Sequence, residues 1–142
     1  MARQIKLDDR EKIEIVDADG VVTGYFRFNP TDTGIISRFD DLEKYFQNKE
    51  KEISGLPNKE FGIEEMDNLI SDIKKQYDKL LDYEGAGEAL FKNASPLSLR
   101  PNGEIFAIYV MNQILKFIRT EFGIREKRAK SRISKYTAKY KK

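Results

Sequence analysis

Apolar residues alternate with period two in the first thirty positions and recur with helical period in three later stretches. That order predicts an α+β fold, mostly α-helical. An N-terminal antiparallel β-hairpin or small sheet is followed by three main helices and a basic C-terminal tail. The chain has 142 residues, enough for one domain, assigned to residues 1–124 with 125–142 as the tail.

The strand region covers about residues 4–28. Glu11–Val16 and Val21–Phe28 flank the turn Asp17-Ala18-Asp19-Gly20, where Gly20 supplies the positive φ of a hairpin. Val22, Phe26 and Phe28 share one parity, which assigns all three to a half-buried face. Ile5 and Leu7 alternate with polar neighbours and predict a third strand, since a two-stranded ribbon alone is marginal in water. Asn29-Pro30 ends the strands, because proline has no N–H for the ladder.

Thr31 and Asp32 are N-cap candidates for a helix over about 32–52, with Ile35, Phe39, Leu42 and Phe46 as its apolar stripe. Its end, Gln47–Glu52, is entirely polar and is expected in solvent, before the turn Ser54-Gly55-Leu56-Pro57-Asn58. A second helix over 63–81 carries the stripe Met66, Leu69, Ile70, Ile73, Tyr77, Leu80 and Leu81. Asp82–Gly87 interrupts it, and Glu88–Phe91 forms a short helical turn before an irregular stretch holding Pro96 and Pro101. The third helix, about 103–122, is apolar around most of its circumference, with Gly123 at a C-cap position. Such a helix is either central to the core or shared with a partner.

Composition narrows the chemistry. Cysteine and histidine are both absent, which excludes disulfides, thiolate or histidine catalysis, and zinc held by either residue. The N-terminus lacks the apolar core of a signal peptide, and the apolar window Ile105–Ile118 is shorter than the ~20 residues of a membrane span. A soluble cytoplasmic protein without membrane contact is expected. No catalytic, cofactor-binding or metal-binding residue is assigned.

Three local patterns invite a functional reading and do not sustain it. Asp17-Ala18-Asp19-Gly20 resembles the start of a calcium loop but reaches Phe28 where the loop needs glutamate. The acidic pairs Asp8-Asp9, Asp40-Asp41 and Glu64-Glu65 are not gathered by any pattern into one pocket. Gly85-Ala86-Gly87 has neither a preceding strand nor the third glycine of a dinucleotide loop, and reads as an inter-helix turn.

Charge is distributed unevenly. Residues 1–124 carry 17 basic and 23 acidic side chains, whereas 125–142 carry 9 basic and 1 acidic. Arg125, Lys127, Arg128, Lys130, Arg132 and Lys135 are candidate tail contacts. The interleaved Ile133, Tyr136 and Tyr140 leave three readings open: an arm for nucleic acid, a dock for an acidic protein face, or a solubilising end.

Phe26-Arg27-Phe28-Asn29-Pro30-Thr31-Asp32, followed by a helix opening Ile35-Ile36-Ser37-Arg38-Phe39, resembles the tail assembly chaperones of long-tailed bacteriophages, especially those of Gram-positive hosts. Gly85-Ala86-Gly87-Glu88-Ala89-Leu90-Phe91, then Pro96 and Pro101-Asn102-Gly103 before a hydrophobic helix, is similar to the family's later half. The resemblance spans roughly residues 20–122 and its motifs are structural. It implies a protein that is not an enzyme and needs no cofactor. Such a protein binds the tape measure protein in the host cytoplasm, keeps it soluble until tail tube protein polymerises around it, and is absent from the finished virion. Family members often exist in two lengths through a translational frameshift, with which the closing Lys141-Lys142 is compatible. Apart from the resemblance, the stripe Met66–Leu81 and the apolar helix Ile105–Ile118 exceed what one small sheet can cover. One of these faces is therefore expected to serve self-association or client binding, with Met66, Ile70, Ile73, Tyr77, Phe106 and Tyr109 as the candidate partner-binding residues. The alternatives are a small nucleic-acid-binding module using the basic arm, and a structural tail or connector subunit.

Overall fold

Two strands and four helices follow in the order β1 (Glu11–Val16), β2 (Val22–Phe28), α1 (Gly34–Ser54), α2 (Ile63–Leu81), α3 (Ala86–Leu90) and α4 (Phe106–Tyr140). This α+β, mostly helical arrangement is the fold class that the sequence predicts. The structure, a computed structural model, describes residues 2–54 and 62–140, with side-chain surroundings for 2–50 and 62–131. The turn expected at 54–58 falls almost wholly outside those residues.

β1 and β2 pair antiparallel, with Glu11 opposite Phe28, Ile13 opposite Phe26 and Ile15 opposite Gly24. Partners across a ladder share a face, so Ile13, Ile15, Phe26 and Phe28 line one side of the hairpin. The Asp17 carboxylate accepts the Asp19 and Val21 N–H groups at 2.9 and 3.0 Å, and Gly20 has φ 79°. The register then slips, since Val16 faces Val22 rather than Thr23. That bulge moves Val22 to the outer face, where it is 50% exposed. The shared parity of Val22 with Phe26 and Phe28 is thus broken by one extra residue.

No third strand joins this sheet among the described residues, and Ile5 and Leu7 are 82% and 88% exposed. The link Asp8-Asp9-Arg10 contains no glycine for the left-handed position of a three-residue hairpin. Instead Asp8 accepts the Arg10 backbone N–H at 3.0 Å and its guanidinium at 2.7–3.1 Å. Among the described residues of the chain the two-stranded sheet is held by packing on the helices. Phe28 meets Phe117 of α4 at 6.0 Å between ring centroids, and β2 packs on α3 where Gly24 meets Ala89.

The cap of α1 comes from Asp32, whose carboxylate accepts the Gly34 N–H at 3.1 Å and pairs with Arg38 at 3.2 Å. Those two partners, the backbone N–H first, hold the Asp32 carboxyl below its usual range. Ile35, Phe39, Leu42 and Phe46 are all buried, as their spacing requires. α2 buries Leu69, Ile73, Tyr77, Leu80 and Leu81 and ends in a left-handed Asp82 with φ 50°. The Gly85–Gly87 turn is a tight junction. Gly87 lies against the Lys74 backbone, where an added Cβ would fall 2.1 Å from the carbonyl oxygen, and its N–H donates to Asp78 at 2.7 Å.

α4 begins at Phe106, three residues later than the composition suggests. Gly103, at φ 87°, turns the chain so that Leu99 and Ile105 form an isolated bridge. The Ala107 and Phe106 N–H groups then donate to the Pro96 and Ser98 carbonyls at 2.9 and 2.8 Å, which satisfies the helix start. At its other end α4 passes straight through Gly123 to Tyr140. A glycine inside a helix costs only about 1 kcal/mol relative to alanine, and the strong helix formers that follow offset it. The expected C-cap is thereby replaced by one continuous helix that carries the basic tail. Ala107, Val110, Ile114 and Ile118 form its buried stripe.

Gly87→Ala is expected to destabilise the fold by more than about 2 kcal/mol in urea unfolding, because backbone rather than a mobile side chain occupies the space. Asp32 carries a depressed pKa, so its contribution is present above the unfolded value of 3.8 and is lost as pH falls through the lower folded value. The melting-temperature gap between the native chain and Asp32→Asn should therefore narrow below about pH 4.

Candidate protein-binding groove

The inner face of the hairpin does not close completely on α4. Between them lies an open groove of about 480 Å3, walled by Ile13, Ile15, Phe26 and Phe28 on one side. The other side is Phe106, Tyr109, Val110, Gln113, Ile114 and Phe117, which share one face of α4 at helical spacing. Leu90 of α3 contributes to the wall, and Glu14, Val16 and Gln113 bring exposed atoms to it. Phe26, Phe28, Val110 and Ile114 are buried at its floor, whereas Ile13, Ile15, Phe106 and Tyr109 are half-buried along its sides. Phe117 is 37% exposed.

The aromatic walls are held from behind. Phe91 packs edge-on against both Tyr77 and Phe106, at 5.0 and 5.9 Å between centroids. Phe106 stacks with Tyr109 at 6.2 Å, and the Arg100 guanidinium covers the Tyr109 ring at 3.5 Å. The position of this row follows from Tyr77, whose buried hydroxyl donates to the Ala107 carbonyl in the first turn of α4. Burial raises the Tyr77 pKa far above the ordinary phenol value, so that hydroxyl stays a donor throughout the accessible pH range.

Phe106 and Tyr109, two of the six residues assigned to partner binding, line the groove. Ile73 and Tyr77 are wholly buried in this chain's own core, which corrects the expectation that they meet a partner. The stripe on α2 is consumed by α1, α3 and α4 over its last three turns and is open only at its start. There Ile63, Met66 and Ile70 make a smaller apolar strip apart from the groove, with Met66 37% exposed. Sequence reasoning missed Ile13, Ile15, Phe26, Phe28 and Phe117 as groove residues. The signal was present in the hairpin's apolar parity, but parity alone does not say how far a helix covers that face.

The basic end of α4 divides into two roles. Arg125 reaches back across the groove's end to Glu11 at 2.6 Å, Thr31 at 2.7 Å and Asn29 at 3.3 Å, with Glu121 at 3.6 Å on its own helix. It fastens α4 to both strands at the open end of the hairpin and is not a free tail contact, which corrects its assignment. Lys127, Arg128 and Lys130 are exposed, and Lys130 pairs with Glu126 at 3.0 Å. The side chains of Arg132 and Lys135 lie outside the described residues. Among the described residues no three acidic side chains gather as a metal site, and no helix is long and apolar enough to cross a membrane.

Arg125→Ala should destabilise the fold by about 1–2 kcal/mol in chemical unfolding, since it breaks charge-assisted bonds from a side chain that is less than one-third exposed. Arg125→Lys should recover little of this, because an ammonium lacks the fork that spans Glu11 and Thr31 together. No family model matches the chain, and neither a curated protein nor a solved structure is significantly similar to it.

Proposed function

We propose that this protein is a non-enzymatic chaperone of bacteriophage tail assembly. It holds an apolar stripe of the tape measure protein in the groove between the hairpin and α4 until tail tube protein replaces it. The observation that carries this reading is the groove itself. A partly open, aromatic-walled groove of about 480 Å3 suits an apolar helical stripe better than a small enclosed molecule. A tape measure protein is a long helix whose apolar stripes aggregate when bare, so its holder needs many weak, reversible contacts along the chain. The order of hairpin, Asn-Pro step, helices and small-residue turn supports the same family resemblance.

The exposed cations of α4 fit this role by approaching acidic positions beside the client's apolar stripe. The second reading, an arm for nucleic acid, draws on the same Lys127, Arg128 and Lys130. A structural tail or connector subunit would instead persist in purified virions. Action in the host cytoplasm, with the chaperone left out of the particle, completes the proposal.

The test is co-expression with the tape measure protein encoded by the same genome, followed by a solubility assay and co-purification. The native chain should keep the client soluble. Phe117→Glu, which places a charge on the groove wall, should lower affinity at least about tenfold while leaving the circular dichroism spectrum unchanged. An unprotected client, or tight salt-sensitive binding to DNA or RNA that needs Lys127, Arg128 and Lys130, would overturn the reading.

A further inference from the structure

We propose that the N-terminal segment, residues 3–10, is the missing third strand of the sheet and is supplied by a second copy of this chain. In the resulting two-fold dimer, each copy's segment pairs antiparallel with the free edge of the other's β1. This goes beyond the client-binding role and does not depend on what occupies the groove.

Three observations carry it. Among the described residues β1 has β2 on one side and no strand on the other, which leaves its second edge without a ladder partner. The segment leading into it, residues 2–10, is exposed throughout and joins no regular element. Within it Ile5 and Leu7 share one strand parity and are nearly bare. An alternating apolar strand beside an open strand edge is the composition of β-augmentation.

The third observation is register. If residues 3–17 of two copies pair about a two-fold axis through Arg10, Ile5 stands opposite Ile15 and Leu7 opposite Ile13. On the inner face these pairs lengthen the groove wall by two aliphatic residues. On the outer face Lys6 meets Glu14 and Asp8 meets Lys12, while Arg3 meets Asp17 beyond the apolar pairs. Each of these pairs occurs twice by symmetry. The pairing of Arg10 with its own copy at the axis is a like-charge cost of this register, reduced by Asp8 two residues away on the same face of the strand. Asp9 faces Glu11 at the place where Arg125 already neutralises Glu11.

Neighbouring registers lose this match. A shift of two residues one way sets Leu7 against Glu11 and Lys6 against Lys12. The opposite shift sets Ile5 against Asp17 and Asp8 against Glu14. A shift of one turns the apolar residues to the charged face. Pairing straightens the segment at the cost of the local bond from the Arg10 N–H to Asp8.

The full chain should behave as a concentration-dependent dimer in sedimentation velocity. Because it contains no cysteine, one substitution gives a clean geometric test. Residues directly opposite in an antiparallel pair have Cα atoms about 4.5–5.5 Å apart, within disulfide range. Arg10→Cys should therefore form a disulfide dimer under mild oxidation, whereas Lys12→Cys, two residues off the axis, should not. Lys6→Glu should weaken the dimer by roughly tenfold and Glu14→Lys likewise, and the double variant, which restores the pair with its signs exchanged, should recover it. A monomer at all concentrations, equal cross-linking at positions 10 and 12, or no recovery in the double variant would overturn the proposal. Client solubility is read separately, so loss of the dimer and loss of client binding are distinguishable.

Discussion

One buried hydroxyl sets the geometry on which the groove depends. Tyr77 sits near the C-terminal end of α2 and donates to the Ala107 carbonyl, so α2 and the start of α4 are held in one register. A hydroxyl removed from water needs that partner, and a different sliding of α4 would strand it. Everything after Ala107 inherits the setting. Phe106, Tyr109, Gln113 and Phe117 are presented toward the hairpin because Ala107, Val110, Ile114 and Ile118 are turned inward by the same helical period. The Gly87 junction adds a second constraint, since α3 approaches the Lys74 backbone at a distance that only glycine permits.

The helices were legible in the sequence because each carries its own apolar stripe, and a stripe of helical period has one inward solution. The bounds of α2 agree to the residue, and Ile35, Phe39, Leu42 and Phe46 are all buried. What was not legible depends on relations between distant segments. The bulge opposite Val16 turns Val22 outward, and no local pattern marks the extra residue. Gly123 has the identity of a cap, but a glycine stops a helix only when the following residues favour another conformation, and Ile124–Lys130 do not. The depth of Ile73 and Tyr77 likewise follows from how many elements converge on α2, whereas a stripe shows only that a face is apolar. The groove lay beyond reach for the same reason. It is the part of two apolar faces that fail to meet.

Arg125 shows how charge position outweighs charge count. The sequence divides sharply between an acidic body and a basic end, yet the first cation of that end belongs to the fold. Its bonds to Glu11, Thr31 and Asn29 join α4 to the start of β1 and to the chain just beyond β2. Those points lie at the open end of the hairpin, opposite its turn, where a two-stranded ribbon frays most readily. The helix that continues past Arg125 is therefore anchored to the body at its first turn. Lys127, Arg128 and Lys130 act from a defined base rather than from a loose arm, and their reach is that of a helix, about 1.5 Å per residue.

A small sheet with one aromatic face and one free edge poses two problems that most domains solve internally. Its apolar face needs covering, and its edge needs protection from indiscriminate pairing. Here α4 covers only part of the face, leaving Phe117 and the isoleucines of β1 accessible. The edge is flanked by alternating charges, Glu11, Lys12 and Glu14, which oppose pairing with an unrelated apolar strand. The same charges favour a strand whose own charges are complementary, and Arg3, Lys6 and Asp8 provide one in this chain. Protection of an edge and choice of its partner are thus one physical device. In the proposed strand exchange, the charges that guard the edge are the same ones that select the copy to complete it.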